Sequence, residues 1–144
     1  MPAPLPVPAS VRRFLAAPRF AVLATLDPGG TPRQAVTWYL PQPDGTLVVN
    51  SAAGRRWPAN LRRDARVSVA VVDGGGYSWV GLTGRVVEVI DDQERAQADI
   101  AAMARRYHAD DPATAATMIE RVFRTQRRVS FRIAVDAVHD HLEE

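Results

Sequence analysis

Along most of the chain, short apolar or alternating blocks are separated by Gly, Pro and Asp clusters, a pattern that predicts strands joined by tight turns. Residues 19–26 (RFAVLATL) read as a mostly apolar strand, and Asp27-Pro28-Gly29-Gly30 as a turn into its hairpin partner at 32–40 (PRQAVTWYL). Pro43-Asp44-Gly45 turns again into 46–51 (TLVVNS), so the first part reads as an antiparallel meander. Residues 66–72 (RVSVAVV) form another buried strand, and DGGG at 73–76 turns it into a long strand at 77–90. Gly81 and Gly84 inside that strand imply a bulge, a sharp bend or a close approach, the devices by which small barrels close. Residues 128–135 (RVSFRIAV) alternate strictly, with Val129, Phe131, Ile133 and Val135 on one face.

Helical spacing appears in four other places. Residues 10–17 place Val11, Phe14 and Leu15 on one face, with Ser10 as the cap. A short helix starts near Pro58, with Trp57 and Leu61 as its anchors. Residues 91–107 carry Ala96, Ile100, Met103, Ala104 and Tyr107 at helical spacing, with Asp91 and Glu94 placed as a capping box. Asp111-Pro112 opens the last helix, with Ala115, Ile119, Val122 and Phe123 along one side. The expected order is α-β-β-β-α-β-β-α-α-β. It reads as a mainly β domain at residues 10–144 behind a Pro-rich arm at 1–9, with no repeat and no internal boundary.

Composition narrows the chemistry. There is no cysteine, which excludes thiolate nucleophiles, Fe–S clusters and cysteine zinc sites. No apolar run approaches a membrane span, and the amino-terminal residues lack signal-peptide character, so a cytoplasmic protein without a membrane partner is expected. The formal net charge is only +2, yet the pI is about 9.6, and every basic residue is arginine. Arginine holds phosphate and carboxylate through a planar fork, although genomic base composition produces the same bias. The modest net charge and the absence of a helix-turn-helix or RNA-binding signature argue against nucleic acid.

The stretch GRRWPANLRRD places Arg55 and Arg56 just before a helix, where unpaired N–H groups already make the potential positive. Solvent exposure explains Arg62 and Arg63. A bound phosphate explains Arg55 and Arg56 better, because either arginine adds a charge-assisted fork to the helix N–H groups. Trp38 with Tyr39, and Tyr77 with Trp79, form two aromatic clusters, either core packing or a wall beside a planar heterocycle. Trp38 and Tyr39 point to opposite faces, so only one of them belongs to the core. His139 and His141 share one face of the last strand but have no evident third ligand, and no metal site is expected. His108 reads as a helix-end residue. No nucleophile triad, paired-carboxylate signature or Gly-rich phosphate loop is present, so any catalysis relies on a cofactor.

The blocks FAVLATLDPGGTPRQAVTWYL, GTLVVNSAAGRRWPANLRRDARVSVAV and YSWVGLTGRVVEV, in that order, resemble the pyridoxamine-phosphate-oxidase-like split β-barrel superfamily. Within it, the chain is most similar to the branch that uses the deazaflavin coenzyme F420. The resemblance covers residues 10–135 and implies an FMN-binding type of split barrel, assembled as a homodimer with two cofactor sites at its interface. It implies that Asn50, Ser51, Arg55, Arg56 and Asn60 lie near the cofactor phosphate. The strand from Gln34 through Val36 and Thr37 to Trp38 would run beside the ring system, with Tyr77 and Trp79 near the ring or the substrate. Trp57 stands where many F420-binding relatives have lysine, which leaves Arg55 and Arg56 to hold the anionic tail. The implied activity is hydride transfer between F420 and a small conjugated or quinone-like acceptor, with water or Tyr77 as proton source. The alternatives are an FMN-dependent oxidase or reductase of the same fold, or a non-catalytic flavin or deazaflavin carrier.

Overall fold

A computed structural model describes residues 7–142. The expected arm at 1–9 therefore lies mostly outside the described residues, although Val7 is buried and Pro8 caps the first helix. The chain runs α1 (Ala9–Ala16), β1 (Ala21–Leu26), β2 (Pro32–Thr37), β3 (Leu40–Pro41), β4 (Leu47–Ala52), α2 (Arg56–Arg63), β5 (Arg66–Val72) and β6 (Trp79–Ile90). It continues through α3 (Gln93–Tyr107), α4 (Pro112–Arg121), a short 3-10 turn at Phe123–Thr125 and β7 (Arg128–His141).

The strands form one antiparallel sheet in the order β2-β1-β5-β6-β7-β4-β3. Its two outermost strands, β2 and β3, are separated in sequence only by Trp38 and Tyr39. Two residues cannot span a flat seven-stranded sheet, whose strands lie about 4.8 Å apart, so the sheet curls until its edges meet at a seam. This is the split barrel that the resemblance implied.

The expected meander is corrected here. The hairpins at Asp27-Pro28-Gly29-Gly30, Pro43-Asp44-Gly45 and 73–76 form as expected, but the stretch 32–40 breaks into β2 and β3, so β4 pairs with β3 and β7 on the far side of the sheet and not with β2. The reason lies in the burial of β4 on both faces. Leu47 and Val49 enter the barrel core, while Val48 packs under α3 and α4 with Ile100, Met103 and Ile119. Between β7 and β3 the strand is paired on both edges, and both of its faces are covered.

Several element ends also differ from expectation. The first helix starts at Ala9 with Pro8 as its cap, so Ser10 lies inside it. The second begins at Arg56 with Arg55 as N-cap, and Pro58 sits third in the first turn, where its missing N–H still has no intrahelical partner to lose. Asp92, not Asp91, caps α3 by accepting the Arg95 amide at 3.3 Å. Asp111 caps α4 as expected, but that helix stops at Arg121, leaving Val122 exposed while Phe123 is buried in the 3-10 turn. The long strand starts at Trp79, so Tyr77 belongs to the preceding turn. The last strand runs on to His141, with a register shift opposite Thr83/Gly84 after which Val138 packs on the core while His139 and His141 are exposed.

The barrel is closed at its ends by helices. Val11 and Leu15 of α1 and Trp57 and Leu61 of α2 join the core cluster built around Leu23, Val69, Val80 and Phe131. Among the described residues, no helix is long and apolar enough to cross a membrane. Nor do three or more His, Cys, Asp or Glu side chains converge as metal ligands among them.

Candidate functional site

The seam is shaped by the reversal at Trp38-Tyr39. Tyr39 turns inward and is fully buried, its hydroxyl 3.0 Å from both the Leu15 and Ala17 carbonyls. Its own amide donates to the Tyr107 hydroxyl at 3.1 Å, and its carbonyl accepts from Arg106 Nη1 at 2.7 Å. The Tyr107 hydroxyl in turn donates to the Arg19 carbonyl at 2.5 Å, and burial pushes its pKa up to about 12. With Tyr39 committed to the core, Trp38 turns the other way. Trp38 stacks on Tyr107 at 5.0 Å and meets the rings of His108 and Phe123 edge-on at 5.8 and 6.2 Å. His108 itself is the C-cap of α3, as expected.

Trp38 thereby borders a cleft of about 270 Å³ between the seam and the α3/α4 pair. Phe20, Val36, Trp38, Met103, Met118 and Phe123 make its apolar side, while Thr37, Asn50, Arg55, Gln126 and Arg128 make the polar one. Val36 is 68% and Phe20 63% exposed, so the apolar side opens outward.

The polar side is built around Asn50. Its Nδ2 donates to the Ala96 carbonyl at 2.9 Å and to Ser130 Oγ at 2.8 Å, and its Oδ1 accepts from Arg128 Nε at 2.9 Å. Arg128 Nη1 donates to Gln126 Oε1 at 2.6 Å, and the guanidinium lies over the Phe123 ring at 5.0 Å. Arg128 is only 5% exposed. Burial first, and then the charge of Arg55, bring its pKa down to about 10, which leaves it protonated at neutral pH. Among the described residues, neither Arg55 nor Arg128 has a carboxylate within ion-pair distance.

Of the expected site residues, the structure thus brings Val36, Thr37, Trp38, Asn50 and Arg55 to one cleft. The others lie off it. Gln34 is exposed on β2, and Ser51 Oγ donates to the Ala52 carbonyl at 2.8 Å. Arg56 leans toward Asp27, 4.0 Å away. Asn60 is buried and donates to Thr25 Oγ1 at 3.1 Å and Asp27 Oδ1 at 3.0 Å, tying α2 to the end of β1. That bond, followed by the one from Arg33, holds the Asp27 carboxyl below its ordinary range. Trp57 is buried against Phe131 at 5.9 Å. Tyr77 is 70% exposed, and Trp79 stacks on His141 at 6.1 Å.

Arg62 and Arg63 are not merely solvated as expected. Arg62 grips Asp91 with two bonds, at 2.9 and 2.5 Å, and Arg63 donates to the Leu26 carbonyl and to Asn60 Oδ1. Arg128, Gln126 and Phe123 escaped the sequence reading. Arg128 belongs to the even-numbered face of β7, which alternation assigns to solvent. On that face Ser130 and Ala134 are small and fully buried, but Arg132 between them is partly exposed, so the sequence carried no clear signal of a cover.

The family model described as pyridoxamine 5'-phosphate oxidase matches residues 7–142. The chain belongs to the pyridoxamine 5'-phosphate oxidase family. This family is largely one of oxidoreductases that bind flavin-type cofactors, which supports an enzyme. No protein of curated function matches the sequence. Among solved structures, the fold resembles an F420 reductase at 23% identity, with a TM-score of 0.73 over 92% of this chain and 98% of that one. It also resembles a conserved hypothetical protein from Mycobacterium tuberculosis at 24% identity, with a TM-score of 0.73 over 98% and 88% of the two chains. General Stress Protein 26 from Bacillus anthracis shares the fold at 12% identity, with a TM-score of 0.64 over 91% and 90%. At these identities the likeness establishes the fold of the family, and the cofactor has to be argued from the cleft.

Proposed function

We propose that this member of the family is an F420-dependent oxidoreductase acting on a small conjugated or quinone-like acceptor, assembled as a homodimer. The observation that carries the reading is Arg55. It is the N-cap of α2, its side chain lacks a carboxylate partner among the described residues, and it borders the same cleft as Val36, Thr37 and Trp38. A phosphate-bearing tricyclic cofactor needs that combination: an aromatic wall for the ring and cationic donors at a helix start for the phosphate. The cleft lies near the lower limit of ligand pockets, about 300–1,000 Å³, so it holds part of such a molecule.

When bound, the deazaflavin supplies a hydride to an electron-poor acceptor. The chain's task is to position and to keep dry. Trp38, held by its stack on Tyr107, presents a fixed ring, and Met103, Met118 and Phe123 beside it make the same wall apolar and dry. Thr37 borders the cleft with Arg55, while Asn50, whose amide is committed to Ala96, Ser130 and Arg128, holds the polar side in place. Tyr77 lies away from this chain's cleft and the Tyr107 hydroxyl is committed to the Arg19 carbonyl, which supports water over Tyr77 as the proton source.

FMN is the second reading, favoured by Trp57. That residue is packed against Phe131 inside the barrel, so it offers nothing to a long anionic tail. Fluorescence titration with F420 and FMN at matched concentration tests both. Binding of F420, weakened in R55A by about 1.5–3 kcal/mol for a lost charge-assisted bond, is expected, with a smaller loss in R56A because Arg56 leans toward Asp27. Micromolar FMN binding without any F420 response moves the assignment to FMN. Binding of neither removes the cofactor reading.

A further inference from the structure

The two helices that border the cleft are held very differently. The α3 helix is bonded to its surroundings along its length. Its Ala96 carbonyl accepts from Asn50, Gln97 Nε2 donates to the Phe123 and Gln126 carbonyls at 2.9 Å, and Arg106 and Tyr107 bind the reversal between β2 and β3. The α4 helix has no such bonds among the described residues. Its side-chain bonds stay local, from Thr114 to Asp111, from Thr117 to the Ala113 carbonyl and from Arg124 to Glu120. Only Ala115 and Ile119 of this helix are buried. Both of its ends allow movement. Ahead of it, Ala109 and Asp110 are exposed. Behind it, Val122 leaves helical geometry at φ −117° and ψ −65°, just before Phe123, whose carbonyl is bonded to α3.

Open space lies on two sides of α4. In front is the cleft of about 270 Å³, which Met118 lines. Behind is a groove of about 310 Å³, lined by Arg105 on the α3 side and by Pro112, Ala116 and Glu120 on the α4 side. At 3.6 residues per turn, the buried row of Ala115 and Ile119 runs between Met118 on one flank and Pro112, Ala116 and Glu120 on the other. A roll about that row therefore carries Met118 out of the cleft while the rear flank enters the groove. The same roll brings Glu120 toward Arg105, which has no carboxylate within ion-pair distance among the described residues.

We propose that α4 is a movable wall of the cleft, which rolls about the Ala115–Ile119 row into the groove behind it and so enlarges the cleft for a planar ligand. At about 270 Å³ the cleft lies below the ordinary range of ligand pockets, roughly 300–1,000 Å³, and α4 is the wall with the fewest anchors. The movement stands on the packing of α4; only the nature of the ligand it admits rests on the cofactor reading. The groove is thereby a control point for the cleft, since whatever fills it holds α4 forward and keeps the cleft small.

The chain has no cysteine, so one engineered thiol can place a removable wedge in the groove. A116C is labelled with benzyl methanethiosulfonate and compared with the same protein after reduction, and A113C, on the exposed side of α4, serves as the control. Riboflavin, FMN and F420 are titrated by fluorescence, and the Met118 methyl resonance, assigned with M118L, is followed by NMR relaxation dispersion. Labelled A116C is expected to bind the ring ligand about tenfold or more weakly than its reduced form, because apparent affinity falls with the fraction of binding-competent chains. Labelled A113C is expected to bind unchanged. The Met118 methyl is expected to exchange between two positions in the free chain and to stop doing so in labelled A116C. Equal affinity of labelled and reduced A116C overturns the proposal and leaves the cofactor reading in place. Should none of the three ring molecules bind, the cofactor reading is removed and the Met118 resonance decides. Exchange suppressed by the wedge then keeps the movable wall, and a resonance that the wedge leaves unchanged overturns it. Should the label unfold the chain, A116L fills the groove in its place and is read against wild type in the same way.

Discussion

At Gly84, β6 passes close to the backbone of β7. A Cβ built there would lie 2.1 Å from the Ala134 carbonyl oxygen, and backbone cannot swing aside as a side chain can. G84A is expected to cost about 1–3 kcal/mol or more through overpacking, read by chemical denaturation, while G29A is expected to cost little because nothing lies within 4 Å of its added carbon. Asp64 illustrates a charge effect on the same scale. The Arg66 side chain, and then its amide, hold the Asp64 carboxyl down to about 2. Because the folded-state pKa is depressed, the associated stability is fully present above the ordinary value of 3.8 and is lost as pH falls toward about 2. Acid unfolding of D64N is therefore expected to show a shallower pH dependence in that window, and an unchanged slope would discount the pair. The sequence displays both residues, but neither the carbonyl above Gly84 nor the turn that folds Arg66 back on Asp64. The cationic start of α2 at Arg55 was legible because helix starts have a known potential; the burial of Arg128 was not, because its cover comes from Asn50 on β4 and Phe123 in the 3-10 turn.

Among the elements, α3 does more than cover the sheet. Its last turn supplies Arg106 and Tyr107, which bind the backbone of the reversal between β2 and β3 and the carbonyls at the end of α1. Y107F keeps the stacking surface for Trp38 but leaves the Arg19 carbonyl and the Tyr39 amide without that hydroxyl. A loss of about 1–3 kcal/mol in stability is expected, together with weaker cofactor binding as the reversal loosens. Unchanged denaturation midpoint and unchanged affinity would show that the hydroxyl is dispensable. Helix existence was readable from spacing in all four cases. The ends were less readable, since adjacent candidates such as Asp91 and Asp92 compete for one cap and only the local backbone selects between them.

For the whole molecule, the proposed homodimer has a face to use. On β2, β5 and β6, the residues alternating with the buried row Ala21, Val71 and Val80 point outward. They leave Val36, Val72 and Trp79 at 68, 43 and 40% exposure. Light scattering is expected to give twice the chain mass for wild type and a shift toward monomer for V36E combined with V72E. A wild-type monomer at all concentrations would end the dimer reading.

By itself, the sequence determined the mainly β character, the turns, the helices and the cationic start of α2, because each depends on neighbours a few residues away. The sequence reading also separated Tyr39 from Trp38, although both lie in the link between β2 and β3, where hydrogen bonds from Tyr107 and Arg106 hold the Tyr39 backbone. The tertiary structure alone decided that β4 leaves β1 and β2 to pair with β7, that Asn60 serves the end of β1, and that Arg128 joins Arg55 across a cleft. Those outcomes depend on which apolar faces find each other when the sheet curls, and elements far apart in the chain carry no local trace of that choice.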